Sequence, residues 1–355
     1  MKLIHTADLH LCSQITASLD TEKTAIRRAE IISAFTGIVD FAKENVVSAI
    51  LISGDVFDDG ERIVRSTLNR FLTVCEENPD IFFYILSGNH DGEDFSKLWP
   101  SIPENVKLFP KDQGFTSYNV GEGVCISGAV LGSDDNRALT ESLRLSEDDV
   151  NIVMLHGQME RSGNVLCKRM LSGKNIDYQA LGHIHSYRAE KLDKRGIYCY
   201  SGCPAGRGFD ECGEKGFSLI TVEGGKLTHE FVALGGRVIH SIDLDVTDVS
   251  DPVKEAMSLC SEIDKNDIVS INLTGGYDEG NMPDVEYLKV MLSQKFWYSR
   301  VVNKMGVRTD VSKYRNVISL KGEFIRSVES LKIDDEQKRR IIACGLAALS
   351  GEDPF

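Results

Sequence analysis

The sequence predicts an α/β protein, on two observations. Short apolar runs rich in Ile, Val, Leu and Phe alternate with longer helical patterns through the first 220 residues. Five of these runs, at 2–7, 49–53, 81–87, 151–155 and 178–181, read as buried strands and are each followed by a cluster of Asp, His or Asn. Between the first two, Ile31, Ile32, Phe35, Ile38, Val39 and Ala42 recur at helical spacing and predict one amphipathic helix of about six turns, with Arg27 and Arg28 on its solvated face. At 119–131 and 196–222 the pattern shortens to strands separated by Gly, which predicts a second, more antiparallel sheet. The glycine pair Gly235-Gly236 marks a boundary. Beyond it, strands at 238–244, 268–273 and 299–304 alternate with helices at 252–263 and 284–292, and the chain from 312 reads as helical, most clearly at 337–349. The expected division is a catalytic domain over 1–235, a small α/β domain over 236–305 and a mostly helical tail over 306–355.

Composition excludes several classes. The chain has 355 residues, 42% of them hydrophobic, 26% charged and only 8 proline, a balance that permits a sizeable core and argues against disorder. No run approaches the 18 or so uncharged apolar residues of a membrane span, and the acid at Asp8 comes too early for a signal peptide. A soluble, cytoplasmic protein is expected. The nine cysteines are odd in number and scattered, as suits reduced thiols, and Cys199, Cys203 and Cys212 lack the spacing of a structural zinc site. A net charge of −14 argues against a surface that coats nucleic acid nonspecifically, since phosphate affinity comes largely from Lys and Arg. Locally the balance reverses. From Gln294 to Arg326 eight basic residues stand against two acids, with Phe296, Trp297, Tyr298 and Tyr314 interleaved. That segment could follow a nucleic-acid backbone, or its aromatics could be core and its charges paired.

The chemistry lies at the strand ends. Asp8 and His10 follow the first strand, Asp55 and Asp58 the second, Asn89, His90 and Asp91 the third, His156 the fourth, and His183 and His185 the fifth. In α/β sheets a crevice opens at the carboxyl ends of parallel strands, so clusters far apart in sequence would meet there. Asp, His and Asn without Cys favour Mn²⁺, Fe or Zn²⁺. Four aspartates, one asparagine and five histidines exceed the needs of one ion, whereas two ions sharing a carboxylate use them well and suit in-line phosphoester hydrolysis.

The series Asp8-x-His10, Gly54-Asp55-x-x-Asp58, Gly88-Asn89-His90-Asp91, His156-Gly157 and Gly182-His183-x-His185 resembles the calcineurin-like metallophosphoesterase superfamily, with all five motifs in order. The opening 4–11, the long helix before Asp55, and 200–204 followed by 213–217 resemble the SbcD-type DNA repair exonucleases. The resemblance implies a four-layer sandwich of two mixed β-sheets flanked by helices, with a small C-terminal α/β capping domain. It implies two divalent ions, Mn²⁺ or alternatively Fe or Zn, with Asp8, His10, Asp55 and His185 around one and Asp55, Asn89, His156 and His183 around the other. It makes His90 the catalytic residue that stabilises charge on phosphorus or protonates the leaving oxygen, and Asp91 the residue that orients His90. Asp58 stands where the archaeal and eukaryotic branch has a histidine, and matches the bacterial branch. Cys203 replaces the serine of a glycine-serine-proline turn. The implied activity is a Mn²⁺-dependent DNA nuclease, a 3′ to 5′ exonuclease with single-strand endonuclease action as a further option. The implied partners are an SbcC-like ATPase and a second copy of the chain. A phosphatase or small-molecule phosphodiesterase, and a non-catalytic scaffold, are the competing readings.

Three other histidines read as structural residues. His5 lies inside a strand and reads as a core residue, while His229 and His240 read as structural. Cys12 could line the site or be a small buried thiol.

Overall fold

In the computed structural model the described residues are 1–58, 65–91, 97, 101–111, 113–121, 123–133, 135–160, 166–278, 281–308, 313–314 and 317–349. They form two compact units, Met1–Ile239 and His240 onward.

The first unit is built on two six-stranded mixed sheets. One contains β1 (Lys2–Thr6), β2 (Ala49–Ser53), β3 (Phe82–Leu86) and β4 (Val106–Leu108), all parallel. The other contains β5 (Thr116–Asn119), β6 (Val124–Gly128), β7 (Val150–His156), β8 (Tyr178–Gly182), β9 (Arg188–Lys191) and β10 (Ile197–Tyr200) in the order β5-β6-β7-β8-β10-β9. The antiparallel hairpin β11 (Gly216–Glu223) and β12 (Lys226–Ala233) then returns to the first sheet, where β11 pairs with β1. This corrects the sequence reading. The second sheet is parallel through β6, β7, β8 and β10, and the antiparallel strands of 216–233 extend the first sheet instead. Apolar runs reveal that a strand is buried, but not which sheet it joins.

Strand alternation produces the layers, because successive side chains point to opposite faces. Leu3, Ala49, Leu51 and Tyr84 face Ile126, Ile152, Met154 and Ala180 in the space between the sheets. Ile4, Ile50, Ile52, Phe83 and Ile85 face outward and are covered by two helices, α1 (Thr21–Glu44) and α2 (Arg65–Glu76). On the far side Val153, Leu155 and Leu181 pack with Leu143 and Leu171, which belong to the short helices α3 (Arg137–Ser142) and α4 (Lys168–Leu171) and their caps. The result is a four-layer sandwich. Helix α1 starts where Asp20 caps the Lys23 amide at 2.8 Å, and it buries Ile31, Phe35, Ile38, Val39 and Ala42 at helical spacing. Arg27 belongs to that buried stripe and not to the solvated face. It is 3% exposed and donates from Nε and Nη2 to the Gly206 carbonyl at 3.0 and 2.6 Å. A charged side chain at an apolar-stripe position is not legible as buried from sequence, because its acceptor is a backbone carbonyl far along the chain.

The second unit carries β13 (Ile239–Asp245), β14 (Ile268–Thr274) and β16 (Tyr298–Asn303) in one sheet, and a two-stranded ribbon of β15 (Gly276–Asp278) and β17 (Gly306–Arg308). Helices α5 (Pro252–Leu259) and α6 (Val285–Lys295) pack with the larger sheet through Ala256, Leu288, Leu292 and Phe296. Phe296 is therefore core. Arg308 pairs with Asp248 and Asp278, and Arg326 with Glu323, so this much of the basic segment is taken up by local acids. Two further helices, Leu320–Glu329 and Asp335–Leu349, share a small core of Ile325, Val328, Ile342 and Leu346. Among the described residues no helix is long and apolar enough to cross a membrane.

Candidate metal centre

The turns after β1 and β2 are locked together before any side chain is considered. Asp8 N donates to Gly54 O at 3.0 Å, His10 N to Asp55 O at 3.0 Å and Leu11 N to Val56 O at 2.8 Å. Within this frame Asp8, His10 and Asp55 stand at positive φ, as does His183, at values between 45° and 98°. That region costs a non-glycine residue energy, and such residues gather where surrounding structure over-determines them for function. Gly54 and Gly88 permit the close approach. A Cβ on Gly54, at φ 92°, would lie 2.3 Å from His156 Nδ1, and one on Gly88 would lie 2.1 Å from Asp55 Oδ1.

All five strand ends deliver their side chains to one place. Asp8, His10 and His185 offer ligand atoms within 4.8 Å of one another, and so do Asp8, Asp55 and His156. Asp55 Oδ2 lies 3.7 Å from His10 Nε2 and 3.2 Å from His156 Nε2, so it reaches the histidines of both groups. Asn89 Oδ1 lies 2.9 Å from His156 Nε2 and 3.1 Å from His183 Nδ1. The seven residues expected as ligands are thus contiguous, although Asp8 as well as Asp55 stands between the two groups. The donor set fits divalent cations. His10 Nε2 and His185 Nε2 face each other at 3.2 Å, and the buried His10 Nδ1 has no well-formed hydrogen bond although Asp58 Oδ1 is 3.3 Å away. Nitrogen lone pairs and carboxylates converging on one another call for a positive charge between them.

Electrostatics follows from burial and proximity. Burial raises the pKa of the Asp8 carboxyl. Burial would also raise that of Asp55, but the hydrogen bond and charge of His156 bring it down to about 2. His156 moves the opposite way, to about 9, because Asp55 outweighs its desolvation.

His90 stands at the rim, 51% exposed, and its Nδ1 lies 2.8 Å from Asp58 Oδ1. Asp91, expected to orient His90, instead accepts from the Phe57 and Gly88 amides at 2.8 and 2.9 Å, which fastens the turn after β2 to the turn after β3. Burial raises its pKa to about 6. The carboxylate on the His90 ring is that of Asp58, a residue to which the motif pattern gives no definite role. Two residues escape sequence reasoning altogether. Glu211 accepts from His185 Nδ1 at 2.7 Å, and Arg207 holds Glu211 while its Nη1 lies 3.4 Å from Asp58 Oδ2. Both sit on the loop after β10, beyond the strand-end pattern. The one signal for them in the sequence is charge packed among glycines in Gly206-Arg207-Gly208-Phe209-Asp210-Glu211.

The remaining candidates fall outside the centre. His5 is fully buried between the sheets with Nδ1 2.9 Å from Tyr178 Oη. His229 meets Tyr187 Oη at 3.3 Å and His240 meets Asp267 at 2.9 Å. Cys203 is buried against the His185 carbonyl, and Cys12 is half-buried.

Two sheets in a four-layer sandwich, with Asp, Asn and His from five strand ends grouped for two cations, define a metal-dependent phosphoesterase. Residues 1–187 match the calcineurin-like phosphoesterases, and the chain belongs to that family. Its fold implies a dinuclear metal centre and a hydrolase. Relatives include the uncharacterized metallophosphoesterase YhaO of Bacillus subtilis, 30% identical over 71% of this chain and 64% of that protein's length. The DNA double-strand break repair protein Mre11 of Sulfolobus acidocaldarius is 23% identical over 92% of this chain and 86% of its own length. The SbcD component of the nuclease SbcCD of Escherichia coli is 24% identical over 64% of this chain and 66% of its own length.

Proposed function

We propose that this chain is a DNA nuclease, a Mn²⁺-dependent 3′ to 5′ exonuclease acting in cytoplasmic DNA repair beside an SbcC-like ATPase. The observation that carries this reading is the extent of the likeness to Mre11, which covers 92% of the chain and so runs well beyond residues 1–187 that match the family. A shared phosphoesterase centre alone would favour no particular phosphoester. Asp8, His10, Asp55 and His185 are the residues to hold one cation, and Asp55, Asn89, His156 and His183 the other. When bound, the pair supplies Lewis acidity at the phosphoryl group and a water acidic enough to attack near neutral pH.

The protein's own part is positioning and proton management. With its Nδ1 on Asp58, His90 has Nε2 available for a leaving oxygen or for the charge that builds on phosphorus. Its exposure puts it where a polymer lying across the rim can reach it.

The test is incubation with end-labelled linear duplex DNA in Mn²⁺ and in EDTA, beside an aryl phosphodiester. Stepwise shortening from the 3′ end, lost in EDTA and in His90→Gln, is the expected result. Intact DNA with a hydrolysed aryl ester would replace the reading by a small-molecule phosphodiesterase. Inactivity towards both, in the presence of an SbcC-like ATPase, would leave the scaffold.

A further inference from the structure

We infer that Glu211 is the positioning residue of His185, and that Arg207 ties this pair to the Asp58–His90 pair through a single guanidinium. No motif of the metal centre includes either residue.

Glu211 is 2% exposed, and a carboxylate removed from water is tolerated only when its oxygens are satisfied. They are. Oε1 lies 2.7 Å from His185 Nδ1 and accepts from Arg207 Nε at 3.0 Å and Nη2 at 2.5 Å, while Oε2 accepts from the Arg207 amide at 2.6 Å. The carboxylate is therefore fixed by its own loop, four residues away, and not by the ring it contacts. With its Nδ1–H donating to the Glu211 carboxylate, His185 keeps the lone pair on Nε2, the nitrogen that faces His10 Nε2 at 3.2 Å. A carboxylate behind a ligating histidine fixes the tautomer, aims the ring and strengthens the nitrogen as a donor.

The backbone of His185 is held by the same loop. Lys215 Nζ donates to the His185 carbonyl at 2.8 Å, and Cys203 N donates to it at 3.4 Å. The loop is anchored in turn by Arg27 on the Gly206 carbonyl and by the Thr16 amide on the Arg207 carbonyl, at 3.1 Å.

Arg207 extends this arrangement across the site. Its Nη1 lies 3.2 Å from Ser13 Oγ and 3.4 Å from Asp58 Oδ2, and the other oxygen of Asp58 lies 2.8 Å from His90 Nδ1. Arg207 Nη2 also lies 3.2 Å from His185 Nδ1, so His185, Glu211, Arg207, Asp58 and His90 form one connected set of side chains that joins the proposed cation ligand to the rim histidine. The planar fork of Arg suits this, since it presents donors in two directions at fixed geometry, and Lys does not.

The experiment is titration of metal-free protein with Mn²⁺ by calorimetry, with Co²⁺ absorption as a spectroscopic check on ligand geometry, followed by turnover of an aryl phosphodiester at saturating metal. Glu211→Gln is expected to weaken one of the two sites roughly 10- to 100-fold, leave the other unchanged, and recover most of its turnover when metal is raised. Arg207→Lys is expected to weaken the same site and also to lower kcat by a factor that excess metal does not restore. That kcat loss should not add to the loss in Asp58→Asn. Parental isotherms in Glu211→Gln, or equal weakening of both sites, would overturn the role of Glu211. Parental kcat in Arg207→Lys would overturn the tie to His90. Should Glu211→Gln fail to fold, Arg207→Lys reads both arms. Because metal titration needs no substrate, its outcome is independent of whether DNA is what the enzyme cleaves.

Discussion

Asp58 Oδ1 lies 2.8 Å from His90 Nδ1, and the ring it holds stands half-exposed at the rim of the centre. Asp58 is itself only 14% exposed, so a half-exposed ring is held by a largely sheltered carboxylate. Asp58→Asn keeps the shape and removes the charge. It is expected to lower kcat about 10-fold or more at saturating Mn²⁺, whereas His90→Gln, which removes the proposed acid, should cost on the order of 10²–10⁴. Metal content by elemental analysis should stay at the parental value in His90→Gln, and a fall there would make His90 a ligand.

Asp55→Asn should behave differently. Asp55 reaches both His10 and His156, so loss of its charge removes a shared anion and is expected to reduce bound metal from two ions to at most one per chain. Elemental analysis after gel filtration reads the stoichiometry directly. Two retained ions with parental turnover would mean that Asp8 alone does the sharing.

Metal removal should also be visible in stability. A ligand that binds only the folded state adds about 2.7 kcal/mol per site at a concentration 100-fold above its dissociation constant. For a unit of this size each kcal/mol moves the melting temperature by about 2–4 °C, so EDTA should lower the first transition in calorimetry by roughly 5–10 °C per site emptied. An unchanged transition would mean that the centre does not load under those conditions.

His5 sets a pH limit unrelated to the metal. Burial lowers its pKa to about 3 from an ordinary value of 6.5, so folded protein keeps this ring neutral while unfolded chain protonates it. Its stabilising contribution is complete above pH 6.5 and declines as pH falls from there towards 3, by about 2 kcal/mol at pH 5. The melting temperature measured between pH 7.5 and 5 should show this slope, and His5→Gln should flatten it at the price of a lower plateau. A slope identical in the variant would assign the acid sensitivity elsewhere.

The parts of the molecule that are readable from sequence are those where one local rule decides. Buried strands show as apolar runs, and the turn after each one shows as ligand-type residues, so Asp8, His10, Asp55, Asp58, Asn89, His90, Asp91, His156, His183 and His185 can be gathered from sequence, while the division of these ten into seven ligands and three others comes from the family resemblance. Pairing across long distances is not local. That 216–233 joins the first sheet depends on β11 meeting β1 more than 200 residues earlier in sequence, which no periodicity encodes. Arg27 is misread for the same reason, since the carbonyl it serves is on another loop. Asp91 looks like the partner of His90 because it is next to it, yet adjacent side chains on a turn diverge, and Asp58 from the neighbouring strand end is the one that arrives. Glu211 and Arg207 lie on a loop whose purpose is legible only once His185 is in place.

The positive-φ ligands have a consequence for anyone who would make this protein more heat-resistant. Left-handed backbone costs a non-glycine L-residue roughly 1–2 kcal/mol, and Asp8, His10, Asp55 and His183 all adopt it. Among the described residues nine non-glycine positions have positive φ, and four of them are residues proposed to hold the cations. Selection for stability without metal would drift towards glycine at these four residues, and each gain would come out of the enzyme's grip on its ions.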